Sequence, residues 1–102
     1  MNEDQFIKNL NQYLDAIIDE FNEWANEDQE FKRFDDLYSS RINKCRKNNH
    51  IIDLYKILND LDQEIEFNLN DNNGHIFYIN IYSYTSILLN NLILLINDRV
   101  KL

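Results

Sequence analysis

Large apolar residues recur at spacings of three and four through residues 4–26: Phe6, Leu10, Tyr13, Leu14, Ile17, Phe21 and Trp24. That period gathers them on one face of a helix. Asn2 stands where an N-cap is needed, and Glu3 and Asp4 suit the positive end of the helix dipole. Polar residues from Asn26 to Asp28 interrupt the pattern. A second helix is predicted on Phe31, Phe34, Tyr38, Ile42 and Cys45, with Lys44, Arg46 and Lys47 in its last turn. Asn48 and Asn49 make a stop, since asparagine tolerates the left-handed conformation. Ile51, Leu54, Tyr55, Leu58 and Leu61 predict a third, shorter helix.

At Glu64 the period changes to two. Ile65, Phe67 and Leu69 alternate with Glu64, Glu66, Asn68 and Asn70, the pattern of a half-buried strand. Asp71-Asn72-Asn73-Gly74 reads as a turn, and residues 75–82 are a β-branched and aromatic run. A two-residue Asn73-Gly74 loop would set Leu69 against Tyr78 and Phe67 against Asn80. A three-residue loop sets Leu69 against Phe77, Phe67 against Ile79 and Ile65 against Ile81, and places Asp71 and Gly74 where a type I turn favours them. The second register is preferred, and it turns Tyr78 and Tyr82 to the face that carries Glu64 and Glu66. Ser83 to Ser86 can then start a last helix. From Ile87 to Ile96 it is apolar nearly all round, which predicts a buried position. The expected architecture is α+β: three N-terminal helices, a β-hairpin over 64–82 and a buried C-terminal helix, in a single domain spanning 1–102. So short a chain cannot cover such a helix on every side. Part of it is left to face a partner subunit, a homodimer surface.

Charge changes the picture. Ten basic residues stand against eighteen acidic ones, giving −8 at pH 7. Residues 1–30 hold nine acids and one base, 31–50 six bases and two acids, and 51–75 six acids and one base. A chain so acidic repels phosphate and anionic membrane surfaces and attracts basic proteins. Direct nucleic-acid binding and membrane association are therefore not expected. The longest apolar run is broken by Asn90 and Asn91, far short of the about 20 residues of a membrane span. One cysteine, no basic and apolar leader, and a hydrophobic content of 44% fit a folded cytoplasmic protein. Seventeen asparagines and fourteen isoleucines with one glycine and no proline point to an AT-rich, bacterial or mobile-element coding sequence.

No catalytic constellation stands out. Cys45 and His50 are five apart across a predicted helix end without a third ligand type, and His75 follows the turn. The chain has no P-loop, H-E-x-x-H or C-x-x-C pattern, and its single glycine excludes a dinucleotide fingerprint. Asp35 with Asp36, and Asp60 with Asp62, are pairs that arise by chance in an acidic chain. The expectation is a non-enzyme with no cofactor and no metal.

The stronger signal lies opposite the buried stripe of the first helix. Asp15, Asp19 and Glu23 sit there at i, i+4 and i+8, where like charges destabilise by about 0.2–0.5 kcal/mol per pair, and no base on that helix relieves them. Glu20 and Glu27, with Asp28 and Glu30, extend the negative region. The basic residues Lys32, Arg33, Arg41, Lys44, Arg46 and Lys47 are read as internal charge balance. Tyr78 and Tyr82 beside Glu64 and Glu66 have the chemistry of an interface. The expected partner-binding residues are thus Asp15, Asp19, Glu20, Glu23, Glu27, Glu64, Glu66, Tyr78 and Tyr82. The expected function is an immunity or inhibitor protein that neutralises a basic toxin, a nuclease domain in the first instance. A phage-encoded acidic mimic of nucleic acid, acting against a host defence system, and an oligomeric adaptor are the alternatives.

Overall fold

The computed structural model describes residues 2–27, 29, 32–48, 50–71 and 76–100, with the backbone alone for Glu27, 68–71 and 76–82. Its elements are α1 (Glu3–Glu27), α2 (Lys32–Phe34), a π-helical stretch (Asp35–Ser39), α3 (Ser40–Lys47), α4 (Ile51–Asp71) and α5 (Ile76–Val100). The middle three run on without a break, since Phe34, Ser39 and Ser40 all hold right-handed helical angles. Four helical rods therefore form a bundle of 42 × 21 × 18 Å.

Asn2 caps α1. Its side-chain oxygen accepts the Gln5 N–H at 2.8 Å and its carbonyl accepts the Phe6 N–H at 3.0 Å. The apolar stripe of α1 is buried at Phe6, Leu10, Leu14, Ile17, Phe21 and Trp24. Phe34, Tyr38, Ile42 and Cys45 are buried from the next rod. Through the π stretch, whose bonding is i to i+5, Phe34, Tyr38 and Ile42 all stay on the buried side. Asn48 ends α3 at φ −99°, ψ 5°, and not through the left-handed region expected of it. Asn49 lies outside the described residues.

The hairpin is not there. Residues 64–71 continue α4 and residues 76–82 begin α5, and no strand occurs among the described residues. The α+β expectation is thus corrected to an all-helical bundle. Ile65 is fully buried in line with Leu54, Leu58 and Leu61, at the helical spacings of four, three and four. Phe67, which the strand register placed in the core beside it, is 66% exposed. An isolated two-stranded hairpin is marginal in water, whereas two long helices can each bury a stripe along their whole length. The β-branched run of 75–82 carries only a weak preference for strand, and tertiary packing overrides it. The turn expected at residues 71–74 begins on the last residue of α4; 72–75 lie outside the described residues.

The C-terminal helix is also less enclosed than expected. It begins at Ile76, ahead of Ser83, and buries Thr85, Leu89, Leu92 and Ile96 on one side. Ile87 and Leu94, on the opposite side, are 60% and 63% exposed. With α1 and α4 as its main neighbours, α5 is covered on one face only over residues 83–100.

Candidate functional site

The cross-contacts fix the level of each residue along the bundle. Glu3 pairs with Arg99 at one end of α1 and α5, and Ala16 shares a groove wall with Leu88. The two helices therefore run antiparallel, and the far end of α1 lies level with the start of α5. At that end Phe21, Trp24, Phe34 and Tyr38 form an aromatic cluster. Phe21 and Trp24 meet edge to face at 5.2 Å, and Trp24 and Phe34 at 5.1 Å and 89°. Tyr38 reaches from this cluster to α4, where its hydroxyl donates to Glu64 Oε2 at 2.5 Å. The same carboxylate has the Arg33 guanidinium 3.8 Å from its other oxygen.

Counted by backbone position, the acids gather at this end. Asp19, Glu20, Glu23 and Glu27 come from α1, Asp35 and Asp36 from the π stretch, and Asp60, Asp62, Glu64, Glu66 and Asp71 from α4. Among the described residues, Lys32, Arg33 and Arg41 alone oppose these eleven. Toward the other end stand Lys8, Lys44, Arg46, Lys47, Lys56 and Arg99 against Glu3, Asp4, Asp15, Asp53 and Asp98. The bundle is thus electrically polar along its length. One half carries the excess negative charge and the other is nearly balanced.

The nine residues singled out in sequence are distributed as follows. Asp19 and Glu23 are exposed on α1, and no base among the described residues pairs with either. Glu20 is half-buried. Burial, then Glu23, then Asp19 push its carboxyl above the ordinary value, and a hydrogen bond with the Trp24 side chain opposes them. Glu66 is exposed on α4. Beside it the half-buried Asp62 is likewise pushed up, by burial and then by Glu66. Asp15 stands apart. Arg46 of α3 pairs with it at 2.8 Å, so one member of the acidic stripe is relieved by the basic segment. Glu64 is committed to an internal contact between α4, Tyr38 and Arg33. Glu27 belongs to α1, and Tyr78 and Tyr82 to the start of α5; their side chains lie outside the described residues. The helical course of 76–82 removes the register argument that turned the tyrosines toward Glu64 and Glu66.

The residues that sequence reasoning missed are the partners: Tyr38 for Glu64, and Arg46 for Asp15. A tyrosine on a buried stripe was a usable signal, because a buried phenol needs an acceptor. Nothing in the sequence named which carboxylate would supply it.

A depression of about 600 Å³ lies between α3 and α4. Arg41, Lys44, Cys45, His50, Asp53 and Lys56 are among the residues around it. It unites the Cys45 and His50 that sequence spacing had paired. Burial pushes the Cys45 thiol up, then Asp53, with Arg41 and Lys44 opposing. The thiol is thereby kept in its less nucleophilic, protonated form. His50 Nδ1 lies 3.8 Å from Asp53 Oδ2. No group of three or more histidine, cysteine or acidic side chains that could hold a metal occurs among the described residues, and no helix there is long and apolar enough to cross a membrane. Comparison with protein-family models, with curated proteins and with solved structures gave no match.

Proposed function

We propose that the protein is an inhibitor, of the immunity-protein kind, that neutralises a basic toxin by docking its acid-rich end on the toxin's cationic surface. A nuclease domain is the partner class whose chemistry fits. Such a domain needs a positive surface to hold phosphate, and covering that surface blocks substrate. The carrying observation is the segregation of charge. Asp19 and Glu23 stand unpaired among the described residues while Glu20 between them is held above its ordinary value. Like charges crowded on one helix cost stability in the free protein, and a partner's lysines and arginines would remove that cost on binding. The field of such an end also steers encounter, raising association rates by about 10–10³-fold. Concentration of the acids at one end separates this reading from a nucleic-acid mimic, whose carboxylates would follow the length of the molecule.

The test takes the protein encoded by the neighbouring gene, which this reading requires to carry a basic nuclease domain. That protein should cleave plasmid DNA, and the cleavage should fall as this chain is titrated in. Asp19→Lys with Glu23→Lys should slow association about tenfold or more at low salt, with the fold unchanged. A neighbour without a basic domain, or one whose activity survives a molar excess of this protein, overturns the reading.

A further inference from the structure

We propose that the outward face of α5 is the seam of a symmetric, antiparallel homodimer. The surface is separate from the acid-rich end, and the inference stands without the inhibitor reading.

Residues 76–97 contain no charged side chain, in a chain where charged residues make up 27%. On the side of α5 away from the core, Tyr84, Ile87 and Leu94 are 52%, 60% and 63% exposed, and Asn90 and Asn91 are exposed between them. Residues 84, 87, 91, 94 and 98 follow alternating steps of three and four, the spacing of the contacting positions in a coiled coil. Leu37, Ile52 and Phe67 are exposed singly elsewhere, whereas Ile87 and Leu94 stand in one row on a face with no charged neighbour between them. An asparagine within such a seam fixes register and orientation.

The occupant follows from symmetry and charge. A two-fold interface must match itself. Around a midpoint between Asn90 and Asn91 the face does so: Ile87 lies three residues before Asn90 and Leu94 three after Asn91. An antiparallel copy therefore sets each Ile87 against the other's Leu94 and brings the asparagines together at the dyad, where their amides can exchange hydrogen bonds. The same arrangement lays the acid-rich end of each copy beside the balanced, base-bearing end of the other. A parallel pairing would set the two acid-rich ends side by side. Beside the seam a groove of about 580 Å³ between α1 and α5, lined by Asn9, Tyr13, Asn91, Leu94, Leu95 and Asp98, offers room for the partner's side chains.

Sedimentation velocity of the full chain at rising concentration should show a species of twice the chain's mass, present by about 10 μM. Leu94→Glu should yield a monomer, with dimer affinity reduced about a hundredfold or more, because the introduced carboxylate would lie unpaired in an apolar seam. Leu94 is mostly exposed within one chain, so the circular dichroism of the variant should match the wild type. Cysteine pairing reads orientation, with the wild-type chain and its buried Cys45 as the blank. Asn91→Cys should form a disulfide-linked dimer, since residue 91 and its symmetry mate are offset by about 1.5 Å along the axis. Ile87→Cys alone should not, because its mate is about 10 Å along, but Ile87→Cys mixed with Leu94→Cys should. A chain that stays monomeric at about 200 μM overturns the proposal. So does efficient self-linking of Ile87→Cys, a dimer that survives Leu94→Glu, or a monomer that floats with phosphatidylcholine vesicles.

Discussion

Replacing Tyr38 with phenylalanine removes one oxygen from the centre of the acid-rich end. Tyr38 is 6% exposed and its ring packs against Phe21 and Phe34, at 6.5 and 6.4 Å, so the ring stays where it is. What goes is the hydrogen bond to Glu64, at 2.5 Å the short, charge-assisted kind. A hydrogen bond to a charged group contributes about 1.5–3 kcal/mol. The Glu64 side chain is 28% exposed, so water recovers part of the loss. The expected cost is about 1–2 kcal/mol. With a urea slope of about 1–3 kcal/mol/M for a small domain, the midpoint should fall by roughly 0.3–2 M. Trp24, the single tryptophan, is 1% exposed inside the same aromatic cluster and reports the transition by fluorescence. Combining Tyr38→Phe with Glu64→Gln in a double-mutant cycle should give a coupling of about 1 kcal/mol. The hydroxyl also predicts behaviour in alkali. Burial, then the Glu64 hydrogen bond and charge, push it well above its ordinary value, so the folded protein holds a proton that the unfolded chain releases near pH 10. Its stabilisation is whole below pH 10 and is lost as pH rises through the folded value. Tyr38→Phe should remove that tyrosine's share of the alkaline loss. A variant whose midpoint and alkaline profile both match the wild type refutes the reasoning.

Ile65→Ala should cost about 2–5 kcal/mol and Phe67→Ala less than about 0.5 kcal/mol in the same urea assay; similar large losses at both would restore the strand register. Glu20 and Asp62, both held above the ordinary carboxyl range, stabilise the fold fully only below their unfolded values and lose that contribution as pH rises through the folded ones. Glu20→Gln should therefore raise the Tm at pH 7 relative to the wild type, with the gain shrinking toward pH 4; an equal offset at both pH values would remove Glu20 as the cause. The Thr85 hydroxyl is fully buried and finds no partner among the described residues, so Thr85→Val should stabilise by about 1 kcal/mol, measured by thermal melting. A loss of stability would reveal a hydrogen bond there instead.

The first half of the chain was legible because its apolar spacing admits a single period. Phe6 to Trp24 and Phe34 to Cys45 recur at three and four, and the structure buries them on those faces. Residues 64–82 admitted two. Ile65, Phe67 and Leu69 alternate, but Ile65 also continues the stripe of Leu54, Leu58 and Leu61, and local preference could not decide between them. Packing did, through the length that α4 and α5 share. The acidic stripe was visible as charge along one helix. Its relief at Asp15 by Arg46, thirty-one residues away, was not, because which elements lie side by side is a tertiary fact. The π stretch left no mark in the apolar spacing, because Phe34, Tyr38, Ile42 and Cys45 repeat the spacing of Phe6, Leu10, Leu14 and Ile17 in a regular helix.

The polarity of the bundle bears on what its formal charge means in solution. At physiological ionic strength a charge is felt over about 8 Å, whereas the bundle is 42 Å long. Its two ends are therefore electrostatically independent objects. A small molecule that touches the end bearing Lys8, Lys44, Arg46, Lys47 and Arg99 meets a local potential near neutral, and −8 is an average over a length several times that reach. The phosphate repulsion expected from the whole-chain sum is an expectation for the acid-rich end first of all. Lowering the salt about fifteenfold, to 0.01 M, lengthens the reach to about 30 Å and lets the two halves be sensed together, so a binding preference measured in dilute buffer need not be the one that operates in a cell.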